Sequence, residues 1–101
     1  MWAQLIKVKL KPGTDLRVVA EALKSAEQPG SGLLRELFMH DQEDSDSAYI
    51  LAVFESEERA REREQDPRRA EGQQAVQELM GKVLAAPPEF TDLNVTVDWV
   101  P

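Results

Sequence analysis

Residues 48–55, AYILAVFE, are apolar on both alternating sets: Ile50, Ala52 and Phe54 on one side, Tyr49, Leu51 and Val53 on the other. The aromatic and β-branched content marks a strand. A strand apolar on both sides leaves no side for solvent. Residues 33–41, LLRELFMHD, read as its partner, with Leu37 and Met39 opposing Phe38, and the polar link QEDSDS between the two runs predicts a β-hairpin. Any fold for this chain must cover both faces of that hairpin.

The flanking segments supply cover for one face. Residues 2–11 alternate, Ile6, Val8 and Leu10 against Leu5, Lys7, Lys9 and Lys11, which is the strand period, and Pro12-Gly13 ends the run. Thr14 is the expected cap of a helix carrying Leu16, Val19, Ala20 and Leu23 on one face, stopped by Pro29-Gly30-Ser31-Gly32. Ser56 is placed to cap a polar helix, EERARERE, with Glu57 and Glu58 at its positive end. Asp66-Pro67 restarts the chain in a helix running to about Ala85, with Val76, Leu79, Met80, Val83 and Leu84 buried, until Pro87-Pro88 ends it. Residues 92–100 alternate again, with Leu93, Val95, Val97 and Trp99 expected on the helix side and Asn94, Thr96 and Asp98 on the other.

The order is β-α-β-β-α-β: an α+β, ferredoxin-like domain spanning residues 1–101, with a four-stranded antiparallel sheet and helices on one face. The helices leave the second sheet face open, and no segment remains to cover it. A second copy of the chain is the simplest cover, since two-fold pairing is the commonest symmetry. The expectation is a homodimer joined through its sheet faces.

Composition narrows the function. With 19 acidic and 12 basic residues and a net charge of −7, the chain lacks the basic surface that nucleic acid or an anionic membrane requires. The chain contains no cysteine, so disulfides and thiolate chemistry are excluded. No apolar run approaches the roughly 20 residues of a membrane span. The N-terminus enters a strand pattern at once rather than a signal peptide, so a cytoplasmic protein is expected.

Four features occur in order along the chain: Lys11-Pro12-Gly13 at the end of the first strand, the Pro29-to-Gly32 loop before the second, Phe54-Glu55-Ser56 before an acidic helix start, and a Thr-Val type last strand. In this order and spacing they resemble the antibiotic-biosynthesis-monooxygenase (ABM) family of the dimeric α/β-barrel superfamily. The resemblance implies a dimeric α/β barrel with a pocket in each subunit between sheet and helices. It also implies a monooxygenase that oxidises small aromatic or quinone-like molecules with molecular oxygen and no metal, flavin or other cofactor. Haem-degrading relatives carry an Asn on the first strand, a Trp in the middle helical region and a following His. Here the first strand has Gln4, Lys7 and Lys9 but no Asn, and no Trp or His lies between Ser56 and Pro88.

An oxygenase pocket of this kind must make a phenol or quinol electron-rich. His40, the only histidine, can act as base near neutral pH, or can simply sit exposed beside Asp41. Tyr49 can donate a hydrogen bond to a substrate oxygen, or pack its ring and leave its hydroxyl at the rim. Arg35, Phe38 and Asn94 are the candidate substrate-binding residues, while Trp2 and Trp99 read as core or interface groups. Lys7 and Lys9 are expected to pair with Asp98 or Glu36 across strands. One histidine and scattered carboxylates make no metal set, and QEDSDS lacks the spacing and glycine of a calcium loop. The alternative to the oxygenase is a non-catalytic dimeric module binding a small ligand or a protein through its sheet face. His40 and Tyr49 on opposite faces would weaken the catalytic reading.

Overall fold

A computed structural model describes all 101 residues. Four strands, β1 (Trp2–Lys9), β2 (Leu33–His40), β3 (Ser47–Phe54) and β4 (Glu89–Asn94), form one sheet of order β2-β3-β1-β4. Every neighbouring pair is antiparallel. Helix α1 (Leu16–Ser25) connects the first two strands. Helix α2 (Glu57–Glu64), a 3-10 turn (Pro67–Arg69) and helix α3 (Ala70–Val83) connect the last two. This is the expected ferredoxin-like plan, its second helical crossover broken where Asp66 caps and Pro67 begins a new turn.

The caps follow local chemistry. Ser56 Oγ accepts from the Arg59 amide at 3.1 Å, and Asp66 Oδ1 accepts from the Arg68 amide at 2.9 Å. The cap of α1 is Asp15 rather than Thr14, its carboxylate accepting from the Arg17 amide at 2.9 Å. Thr14 is used one residue earlier, its amide closing the Pro-Gly turn onto the Lys11 carbonyl at 3.2 Å.

Strand register divides the side chains. Trp2, Gln4, Ile6 and Val8 share the helix side with Ala48, Ile50, Ala52 and Phe54 of β3 and with Glu36, Phe38 and His40 of β2. The main core joins Val8, Leu10, Ala48 and Ile50 to Leu16 and Val19 of α1, with Met80, Val83 and Leu84 packed against them. A second cluster of Trp2, Ala52, Phe54 and Ala60 lies under α2. That helix buries only Ala60. It is held instead by cations over rings, Arg61 at 5.1 Å from the Trp2 centroid and Arg63 at 5.4 Å from that of Phe54. The charge-dense run is thus more than a solvated surface.

The last strand departs from expectation. It starts at Glu89 and stops at Asn94, and Leu93 pairs with Ala3 on the open face while Phe90 and Asp92 take the helix side. Its ladder with β1 runs from the Lys7–Glu89 pair to the Trp2–Asn94 pair. The Val95 amide to the Met1 carbonyl, 3.3 Å, is the final rung. The following tail bounds a cavity of about 690 Å³ against the open face, with Leu51, Val53, Leu37 and Arg35 among its walls. Trp99 stays 77% exposed, so it joins no core within the chain. The open face carries Leu37, Met39, Tyr49, Leu51 and Val53, the second apolar set of the hairpin. No helix is long and apolar enough to cross a membrane.

Candidate functional site

Between α3 and the sheet lies a cleft of about 480 Å³. Its floor is a row across the sheet, Phe90, Ile6 and Ile50 in register on β4, β1 and β3. Its wall is the α3 stripe Val76, Gln77, Met80 and Gly81, continued by Leu84, with Leu23 of α1 behind. Ala86, Pro87 and Pro88 form the end, because the two prolines force the chain out of the helix there and turn it into β4. The twelve lining residues include no ionisable side chain, and Gln77 supplies the one polar side chain. Clefts of this size with few polar groups suit small apolar ligands.

One row further along the sheet the helix side becomes polar. Gln4 and Asp92 are neighbours in register, and Gln4 Nε2 donates to Asp92 Oδ1 at 3.1 Å. Arg61 reaches the other Asp92 oxygen at 3.0 Å and also binds Glu57 and Glu64. Glu36 lies in the same row beyond Ala52. Burial pushes the Glu36 carboxyl above its ordinary value; nearby Glu27 adds to this, and Arg63 and Arg69 oppose it. Burial alone would raise Glu27 too, but hydrogen bonds from Arg63 and Ser31 outweigh it and hold Glu27 low. Arg63 Nη2 contacts Glu27 at 2.7 Å.

The raised Glu36 value has a measurable consequence. A carboxyl that holds its proton more tightly when folded costs stability while ionised, and the cost disappears below its unfolded pKa. Glu36→Gln is therefore expected to raise the thermal midpoint at pH 7. The gain should fade as pH falls through the raised folded value toward about 4.3, the ordinary glutamate value, and be absent below it. Melting curves across that range check it, and a midpoint lowered at pH 7 would contradict the burial argument.

The five candidates from the sequence do not converge. His40 is on the helix side at the far end of β2, exposed, its Nδ1 3.2 Å from the Ser45 carbonyl. It lines a shallow hollow with Asp15, Leu16, Arg17, Ala20 and Phe38. Tyr49 pairs with Met39 and Lys7 on the open face. The sheet therefore separates His40 from Tyr49. Phe38 is half-buried against the main core. Arg35 and Asn94 both line the cavity under the C-terminal tail, but from the two opposite edge strands of the sheet. None of the five lines the cleft at α3. The lysines do not pair as expected: Lys9 binds Asp44 in the hairpin turn at 2.6 Å, Lys7 forms no ion pair, and Glu36 lies on the other face. No group of three or more His, Asp or Glu residues is arranged to hold a metal ion.

Gln77, Gly81 and Phe90 were not singled out by sequence reasoning. Their signal was present but faint, a glycine inside a helical pattern shortly before a Pro-Pro stop.

No protein-family model and no curated protein matches the chain. Solved structures do. A candidate antibiotic biosynthesis monooxygenase from Caulobacter crescentus superposes with a TM-score of 0.75 at 13% identity, over 95% of this chain and 90% of that one. A second, from Chloroflexus aurantiacus, gives 0.66 at 20% identity over the whole of both chains. SnoaB, a cofactor-independent oxygenase from Streptomyces nogalater, gives 0.69 at 11% identity over 96% and 94%. At these identities the likeness is one of fold, and that fold is ABM-like.

Proposed function

We propose that this chain is a cofactor-independent monooxygenase of ABM type, homodimeric through its open sheet face, that takes a small aromatic or quinol-like substrate into the cleft beside α3. The observation that supports it is the cleft itself, an apolar space of about 480 Å³ with a single side-chain amide, in an ABM-like fold. The substrate reduces oxygen unaided. For a diaryl methylene, loss of a proton gives a carbanion, electron transfer to O₂ and recombination give a hydroperoxide, and loss of water leaves the ketone. One oxygen atom ends in the product and the other in water, with all four electrons drawn from the substrate.

The protein's share is to hold the substrate against the apolar sheet floor and to donate a hydrogen bond from the Gln77 carboxamide to the substrate oxygen as negative charge develops there. No ionisable side chain lines the cleft to act as base. The rate is therefore expected to rise with pH along the substrate's own ionisation rather than along a protein group's. Oxygen uptake by metal-free protein with hydroquinones, anthrones and flavonols tests this. Uptake should exceed the uncatalysed rate and fall about a hundred-fold in Gln77→Ala, the lower end of what losing a donor to a developing anion costs. His40→Ala and Tyr49→Phe should leave it unchanged. The missing base also favours a second reading, a non-catalytic small-ligand-binding module. Saturable binding without any uptake would select it.

A further inference from the structure

The geometry points to Gly81 as the residue that decides which molecules the cleft admits, and to an uncharged, flat ligand lying against the bare α3 backbone there with an oxygen toward Gln77. This rests on the cleft being the ligand site, as proposed above.

Helix α3 contains two glycines, Gly72 in its first turn and Gly81 in its last, and they differ in kind. A Cβ on Gly72 would meet Ala26 Cα at 2.8 Å, so the close approach of α1 requires a glycine there. A Cβ on Gly81 would meet nothing within 4 Å. The backbone at Gly81 is not in the left-handed region that favours glycine. Neither packing nor conformation explains it, yet a glycine inside a helix costs up to about 1 kcal/mol relative to alanine. What the glycine does is leave one strip of cleft wall without a side chain.

The position of that strip follows from helix geometry. A helical side chain covers the turn N-terminal to its own Cα, so the uncovered strip lies over residues 77–80. Gln77 is one turn earlier on the same face. Across the cleft stand Ile6 and the Phe90 ring. Backbone on one side and an aromatic edge strand on the other make a slot rather than a bowl. Charge selects as sharply as shape. In a chain 31% charged, this lining has no Asp, Glu, Lys, Arg or His. An ionised ligand would lose hydration there without gaining a counter-charge.

The experiment is a fluorescence titration of wild type, Gly81→Ala and Gly81→Leu with 2-naphthol and with naphthalene-2-sulfonate, the same ring system bearing a charge. Wild type should bind the naphthol at least ten-fold more tightly than the sulfonate. Gly81→Leu should weaken naphthol binding at least ten-fold, with an unchanged circular dichroism spectrum and a thermal midpoint no lower than wild type, and Gly81→Ala should fall between. A folded Gly81→Leu that binds naphthol as wild type does overturns the role of Gly81 and leaves the oxygenase proposal standing. Equal affinity for the sulfonate overturns the neutral-ligand assignment. Wild type that binds no naphthol overturns this inference, and the oxygen-uptake assay then decides separately on the enzyme.

Discussion

Ile50→Ala is expected to lower the free energy of unfolding by about 2–5 kcal/mol, the range for an isoleucine or leucine truncated inside a packed core. Ile50 is 1% exposed at the middle of β3, paired with Ile6 on one side and Phe38 on the other. It contacts the cluster that ties the sheet to Leu16 and Val19 of α1. Three strands and a helix meet at this side chain, so its surroundings can close only partly over the gap. Domains of this size have about 5–15 kcal/mol in total, and a loss in that range takes a large fraction of it. Urea denaturation followed by circular dichroism measures the change. A loss below about 1 kcal/mol would mean that the β1–β3 centre is not the core described here. Because Ile50 also floors the cleft, the truncated protein, where it stays folded, should bind naphthol with altered affinity.

Leu51→Asp and Val53→Asp are each expected to give a monomer or an insoluble chain. Both residues lie on the open sheet face, where they neighbour Leu37 and Ala3. A carboxylate placed there without a partner must be desolvated if a second copy packs on the face, at a cost of several kcal/mol. Each 1.4 kcal/mol is about ten-fold in the dissociation constant, so the dimer should weaken at least a hundred-fold. Arg17→Asp, on the outside of α1 where the side chain is 90% exposed, is the control and should leave association unchanged. Light scattering reads all three. Intact, stable dimers of both Leu51→Asp and Val53→Asp would remove the sheet-to-sheet arrangement and leave the C-terminal tail, which already lies against these residues, as the cover of the face.

The element order was legible because period and punctuation agree. The alternation read over residues 2–11 and 48–55, the Pro-Gly stops and the caps at Ser56 and Asp66 act over a few residues; the strands fall at Trp2–Lys9 and Ser47–Phe54, and both caps are formed. Even the double-sided hairpin divides as its sequence does, Ile50 and Ala52 toward the helices, Leu51 and Val53 away. The last strand was misread because LNVTV and EFTDLN both alternate well enough. The choice between them is made by the register with β1, at the other end of the chain.

The candidate site shows the same divide more sharply. His40 and Tyr49 drew attention by residue type, and type does not say which side of a sheet a side chain occupies. Residues nine apart on two paired strands are brought close by the hairpin, yet their register sends one to α1 and the other to the open face. Gln77, Gly81 and Phe90 are ordinary residues that become a site because α3 crosses the β1–β4 edge at a distance that leaves space between them. Local interactions of neighbouring residues determined the elements, their order and the apolar character of the hairpin's second face. Long-range pairing and helix placement decided the faces, the end of β4 and the cleft, because a cavity is a relation between elements that no stretch of sequence contains.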